Sequence, residues 1–87
     1  MLLARVVGHA TSTIKHPTMQ GVRLLLCETI SETGEAQGGF FLAADWIGAG
    51  HGACVYVSTD GSAAEAYHHK PDSPIRNTIM GIAESFA

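Results

Sequence analysis

The sequence is short of charge. Asp, Glu, Lys and Arg make up only 15% of its 87 residues, while 46% are apolar; an average soluble domain is roughly 25% charged. So few charges cannot coat a small isolated globule. Part of the surface is therefore expected to be covered by other subunits, the other reading being a sticky monomer. Basic residues are scarcer still, with five Lys and Arg scattered along a chain of net charge -3. They form no stripe that could neutralise a run of phosphates, which argues against nucleic acid as a partner. No apolar run approaches the ~20 residues of a membrane span, which argues against a membrane helix. The opening Met1 to Gly8 carries Arg5 within its apolar stretch and no basic leader before it, a poor match to a secretory signal.

Cysteine is limited to Cys27 and Cys54, each in an apolar run and without Cys-x-x-Cys spacing. They read as small buried hydrophobes of a reducing compartment, and the cytoplasm is the expected location. Histidines are numerous for the length, at positions 9, 16, 51, 68 and 69. Neighbouring His68 and His69 would point opposite ways on a strand, so no metal site is assigned. Asp45, Ser62 and the histidines show neither a nucleophile elbow nor paired carboxylates, so no catalytic residue, cofactor or enzymatic activity is assigned.

What the chain does have is a glycine joint. Asp45-Trp46-Ile47-Gly48-Ala49-Gly50-His51-Gly52 places glycine at every second position, between apolar runs of strand length. Glycine reaches positive φ and admits close approach, at an entropic cost a plain surface loop need not carry. A fixed contact is therefore expected at the joint.

Around it the chain reads as a single small domain over residues 1–87. Alternation and β-rich composition predict strands over Leu2 to Ala10, Val22 to Ile30, Gly39 to Asp45, Cys54 to Ser58 and Ile75 to Ala83. Thr11 to Gly21 reads as a connecting loop, and Ser31 to Gly39 as a hairpin connection ending in a flexible Gly38-Gly39 pair. Ser62-Ala63-Ala64-Glu65 matches a capping box and predicts one short helix, which Pro71 and Pro74 stop. The expected fold is mainly β: a small five-stranded, OB-like closed barrel with one short helix. Strands apolar on both faces need a second apolar environment outside the barrel, and subunit contacts would supply it.

These residues also carry a resemblance. Leu3-Ala4-Arg5-Val6-Val7-Gly8, Ser12-Thr13-Ile14-Lys15-His16-Pro17, Gln20-Gly21, Leu24-Leu25-Leu26, Ala44-Asp45, Gly48-Ala49-Gly50, Gly52, Gly61-Ser62-Ala63-Ala64 and Ile79-Met80-Gly81-Ile82 occur in order over nearly the whole chain. In this it resembles the pentameric vertex proteins of bacterial microcompartment shells, the EutN/CcmL family. The resemblance implies a cytoplasmic, non-catalytic shell protein that assembles as a homopentamer. Five copies would close a ring by a head-to-tail interface, cap the five-fold corners of a polyhedral shell and supply the curvature that closes it. The implied neighbours are hexameric, and in some shells trimeric, shell proteins.

By the same resemblance, Gly48, Ala49, Gly50, His51 and Gly52, with Ser62, Ala63 and Ala64, would lie near the edge that meets neighbouring tiles; the alternative is that the glycines serve the barrel's own tight turn. The family usually has a small apolar residue at position 51 and a glutamate at 53, where this chain has His51 and Ala53. It usually has arginine at 65 and aspartate at 76, where this chain has Glu65 and Arg76. The reversed signs suggest that Glu65 and Arg76 form the same pair with charges exchanged; otherwise Glu65 only completes its capping box and Arg76 faces water. Ser12, Thr13 and Lys15 are candidates to line a pore on the ring axis. The competing functional classes are an OB-like module binding oligonucleotide or oligosaccharide, and a small metal-binding protein.

Overall fold

The computed structural model describes residues 2–10, 22–60 and 76–83. They form five strands, β1 (Leu2–Ala10), β2 (Leu24–Ile30), β3 (Ala36–Ala44), β4 (Cys54–Ser58) and β5 (Thr78–Ala83). The strands close a barrel in the order β1-β2-β3-β5-β4. β1 is the shared wall, antiparallel to β2 on one edge and to β4 on the other. The last seam is narrow: β3 and β5 run parallel and pair only at Ala44 and Thr78. Asn77, just before β5, reinforces it, since its carbonyl accepts from the Ala44 amide at 2.9 Å and its side-chain amide donates to the Leu42 carbonyl at 3.0 Å.

Period-two alternation fills the inside. Ala4 and Val6 of β1, Leu25 and Cys27 of β2, Ala43 of β3, Val55 and Val57 of β4 and Ile79 of β5 form one buried cluster, joined by Ala49. The next residue along each strand faces out, as expected when successive side chains alternate between faces. A smaller cluster of Leu24 and Ala44, with Val22 and Trp46 packed against it, covers the outer wall at the seam end. One polar atom in this region is left over: the Thr78 hydroxyl is fully buried without a hydrogen-bond partner, which costs about 1–3 kcal/mol.

The first and fourth strands lie where the alternation predicts them. The second starts at Leu24 rather than Val22, because Arg23 already turns to the joint: its carbonyl accepts from the Asp45 amide at 2.9 Å. The third begins at Ala36, three residues before the expected Gly39. Ser31 closes the hairpin alone: its amide donates to the Glu35 carbonyl, its carbonyl accepts from Gly34, and its hydroxyl accepts from the Glu35 amide. Gly38 and Gly39 therefore lie inside β3, where the register passes from Glu28 opposite Phe40 to Ile30 opposite Ala36 and Gly38 takes a φ of 83°. What reads as a flexible end of a loop is a bulge in a strand. β5 starts at Thr78 instead of Ile75. The helix expected at Ser62 lies outside the described residues.

Both cysteines are buried and free. Burial, and to a lesser degree the Asp45 carboxylate, pushes the Cys27 thiol up to about 11 from an ordinary 9.0. A thiol whose folded-state value is raised contributes stability that is fully present below the unfolded value and lost as pH climbs through the folded one. The loss attributable to Cys27 should therefore run between pH 9 and about 11. In urea titrations of the parent and of Cys27→Ala, the parent's advantage is expected to shrink across that window. A parent–variant gap that stays constant from pH 8 to 11 would contradict this.

Candidate functional site

The joint between β3 and β4 is organised around one carboxylate. Asp45 follows β3 immediately and its side chain has no exposed surface. Oδ1 accepts from the amides of Ile47 and Gly48, both at 3.1 Å, and Oδ2 accepts from the amide of Ala49 at 3.0 Å. Arg23 donates from Nη1 to Oδ2 at 2.6 Å, its own side chain 42% exposed. A buried charge is tolerated only when it is paired and hydrogen-bonded, and four donors meet that condition here. A short Asp side chain that collects the amides two to four residues ahead of it is the Asx-type solution to a sharp change of direction.

The rest of the joint is tied to β1. The Gly52 amide donates to the Val6 carbonyl at 2.8 Å, and the Val6 amide donates to the Ala53 carbonyl at 2.9 Å. Between these bonds the Gly50 carbonyl accepts from the Ala53 amide at 3.0 Å, closing a tight turn. Gly48 and Gly52 have φ of 86° and 83°, a region that non-glycine residues enter only with strain. Ala49 is wholly buried in the barrel core. His51 stands on the exposed side, with Nε2 3.2 Å from the Val7 carbonyl oxygen, beside the irregularity in the β1–β2 register between Val6 and Gly8.

The joint thus has two sides. Asp45 and Ala49 hold the inner one, while Ile47, Gly48, Gly50, His51 and Gly52 are exposed on the outer one. The expectation of a close approach at the glycines is not met inside the subunit. A Cβ added at Gly48, Gly50 or Gly52 would meet no atom within 4 Å. Backbone conformation accounts for Gly48 and Gly52. Gly50 has neither a positive φ nor a close neighbour, so nothing within the described subunit requires glycine there.

Ser12, Thr13, Lys15, Ser62, Ala63, Ala64 and Glu65 lie outside the described residues, and Arg76 is exposed just ahead of β5. Sequence reasoning missed Arg23 and the role of Asp45. An Asp at a strand end with glycine three residues on is the local signal for the carboxylate turn; nothing local pairs it with a residue 22 positions earlier. Among the described residues no group of three or more His, Cys, Asp or Glu gathers, and no helix is long and apolar enough to cross a membrane.

The family model described as ethanolamine utilisation protein EutN/carboxysome matches residues 1–84. The chain is 39% identical to the carboxysome shell vertex protein CcmL of Thermosynechococcus vestitus, over 98% of this chain and 85% of that one. It is 36% identical to the microcompartment shell vertex protein PduN of Salmonella typhimurium, over 100% of this chain and 99% of the other. Among solved structures, the GrpN pentameric microcompartment shell protein of Rhodospirillum rubrum superposes with a TM-score of 0.85 at 30% identity, covering 100% of this chain and 98% of that one. A match along almost the entire barrel, joint included, means that the chain belongs to the EutN/CcmL family.

Proposed function

We propose that the chain is a structural vertex protein of a bacterial microcompartment shell: five copies close a ring that caps a five-fold corner, and the ring provides the curvature that flat facets lack. The observation that carries this reading is the match to a pentameric shell protein over 100% of this chain and 98% of that one. The protein works in the cytoplasm, within the shell, and its role is architectural rather than catalytic.

The joint gives the reading its chemistry. Its outer side offers bare backbone at Gly48, Gly50 and Gly52, with the Ile47 side chain and the His51 imidazole beside them, over an inner side locked by Asp45. A neighbour could approach such a surface to main-chain distance without displacing any side chain at Gly50. We assign this surface to the rim that meets hexameric or trimeric facet proteins. Native mass spectrometry should give a five-subunit species, and co-expression with facet proteins should give closed polyhedra only when this chain is present. A monodisperse monomer that never joins facets would overturn the proposal. The alternative, a barrel that binds oligonucleotides, predicts salt-dependent binding to single strands.

A further inference from the structure

The joint spends its own donors and leaves its acceptors. Over positions 47 to 53 the amides of Ile47, Gly48 and Ala49 go to Asp45, the Gly52 amide to the Val6 carbonyl and the Ala53 amide to the Gly50 carbonyl. Of the carbonyls in the same stretch, only those of Gly50 and Ala53 accept from a described residue. The amides of Gly50 and His51 therefore remain against the carbonyls of Ile47, Gly48, Ala49, His51 and Gly52, an excess of acceptors. Exposed carbonyls are satisfied by water. A neighbour that displaces this water must bring N–H or O–H groups in its place, because a covered acceptor left unpaired is costly.

One polar side chain adds to this surface, and it is held in position. His51 is exposed, with Nε2 3.2 Å from the carbonyl oxygen of Val7, 44 residues earlier. Val7 sits where β1 loses register with β2: Val6 stands opposite Cys27 and Gly8 opposite Leu26, so Val7 has no counterpart. A bulge of this kind disrupts the ladder locally, and the imidazole is fastened at that point. A carbonyl oxygen only accepts, so Nε2 carries the proton of the bond. In the neutral imidazole the lone pair then belongs to Nδ1. Nδ1 has no partner among the described residues. Holding an exposed side chain still costs rotamer freedom, and here the result is a ring fixed across the subunit with its acceptor nitrogen unspent. The other side chain on the outer side, Ile47, has no polar group, and the charges of Asp45 and Arg23 are paired with each other.

We propose that His51 is the rim residue that selects the neighbour: Nδ1 accepts a hydrogen bond from an N–H or O–H side chain of the facet protein, and the bare carbonyls beside it accept others. This rests on the assignment of the joint to the facet-facing rim and adds what the neighbour must carry there. An edge lined with donors fits. An edge lined with carboxylates sets lone pair against lone pair and is rejected, which is how an interface discriminates between partners of similar shape.

The test sets full-length His51→Gln, His51→Asn and His51→Ala beside the parent. The probe is sheets of the hexameric facet protein from the same host, and the readout is the pentamer concentration that half-saturates them in co-sedimentation. The terminal amide nitrogen of a glutamine falls where Nε2 stands and keeps the bond to Val7, with no acceptor in place of Nδ1. An asparagine sets its amide oxygen near the position of Nδ1 and gives up the bond to Val7. His51→Asn is expected to bind closest to the parent, while His51→Gln and His51→Ala need about tenfold more protein, the loss that follows when a donor in a closed contact is left unpaired. All three should keep the parent's far-UV circular dichroism and its five-subunit species in native mass spectrometry, because the side chain is exposed and outside the core. A pentameric parent that never binds the sheets would overturn the rim assignment, and this inference with it. A parent that binds, with His51→Gln equal to it, would overturn only this inference, since the anchor to Val7 would then be the whole role of the residue. His51→Asn falling to the level of His51→Ala would do the same. Loss of the ring in His51→Gln would place the residue between subunits and equally overturn it.

Discussion

Asp45→Ala is expected to lower the folding free energy by about 2–4 kcal/mol, since a buried donor left unpaired costs about 1–3 kcal/mol and a lost Asp cap about 1 kcal/mol more. The substitution strands three amides, those of Ile47, Gly48 and Ala49, together with the Arg23 guanidinium. Ala49 is fully buried, so its amide has little access to water to replace the lost acceptor. Asp45→Asn should fall between parent and alanine. An amide can offer its oxygen to the Ile47 and Gly48 amides, but its nitrogen then faces two other donors, from Ala49 and Arg23. Arg23→Ala should cost less than either, because that side chain is partly solvated and three amides still hold the carboxylate.

The predicted order of urea midpoints at equal subunit concentration is parent, Arg23→Ala, Asp45→Asn, Asp45→Ala. Amide hydrogen exchange at positions 47 to 49 should quicken in the same order. If Asp45→Ala exchanged at those amides as slowly as the parent, the carboxylate would not be what organises the joint. The functional consequence follows from position. Glycines at 48, 50 and 52 lend the exposed side freedom, and the carboxylate removes it, so losing Asp45 should abolish co-assembly with facets even at temperatures where the barrel survives.

How legible this was in the sequence depends on the distance over which each feature is decided. β1 and β4 are legible because Leu2 to Ala10 and Cys54 to Ser58 are β-rich runs of strand length, bounded by loop or glycine residues. The joint is legible as a built feature because its glycines are too regularly placed for a casual loop. Their separate reasons are not, since positive φ at Gly48 and Gly52 and open space at Gly50 depend on backbone geometry. The start of β3 is not legible because Gly38-Gly39 has the composition of a turn, whereas the turn is closed by Ser31, through its backbone and its hydroxyl, seven residues earlier. The Arg23–Asp45 pair and the single parallel bridge from Ala44 to Thr78 were out of reach for another reason. Both join residues far apart in the chain, and no local pattern records them. The family resemblance supplied the oligomer that the composition had only hinted at.

Leu25→Ala should be the most damaging change in the barrel interior. Leu25 is fully buried on β2, in register with His9 of β1 on one side and Ala43 of β3 on the other. Its neighbours in the core include small residues, Ala4, Ala43 and Ala49. Small residues on closed strands cannot lean in to fill a gap, so the cavity persists and the cost lies in the upper part of the roughly 2–5 kcal/mol range for truncating a buried leucine. A small domain has little reserve, since folding free energies are only about 5–15 kcal/mol in all. Assembly supplies the remainder: a ring that binds only folded subunits stabilises them by mass action. The variant's melting temperature should therefore rise more steeply with protein concentration than the parent's, and dilution should unfold it under conditions where the parent persists. Leu25→Met keeps volume and apolarity and should lose less than about 1.5 kcal/mol. Equal losses for alanine and methionine would show that the site is governed by something other than the space Leu25 fills.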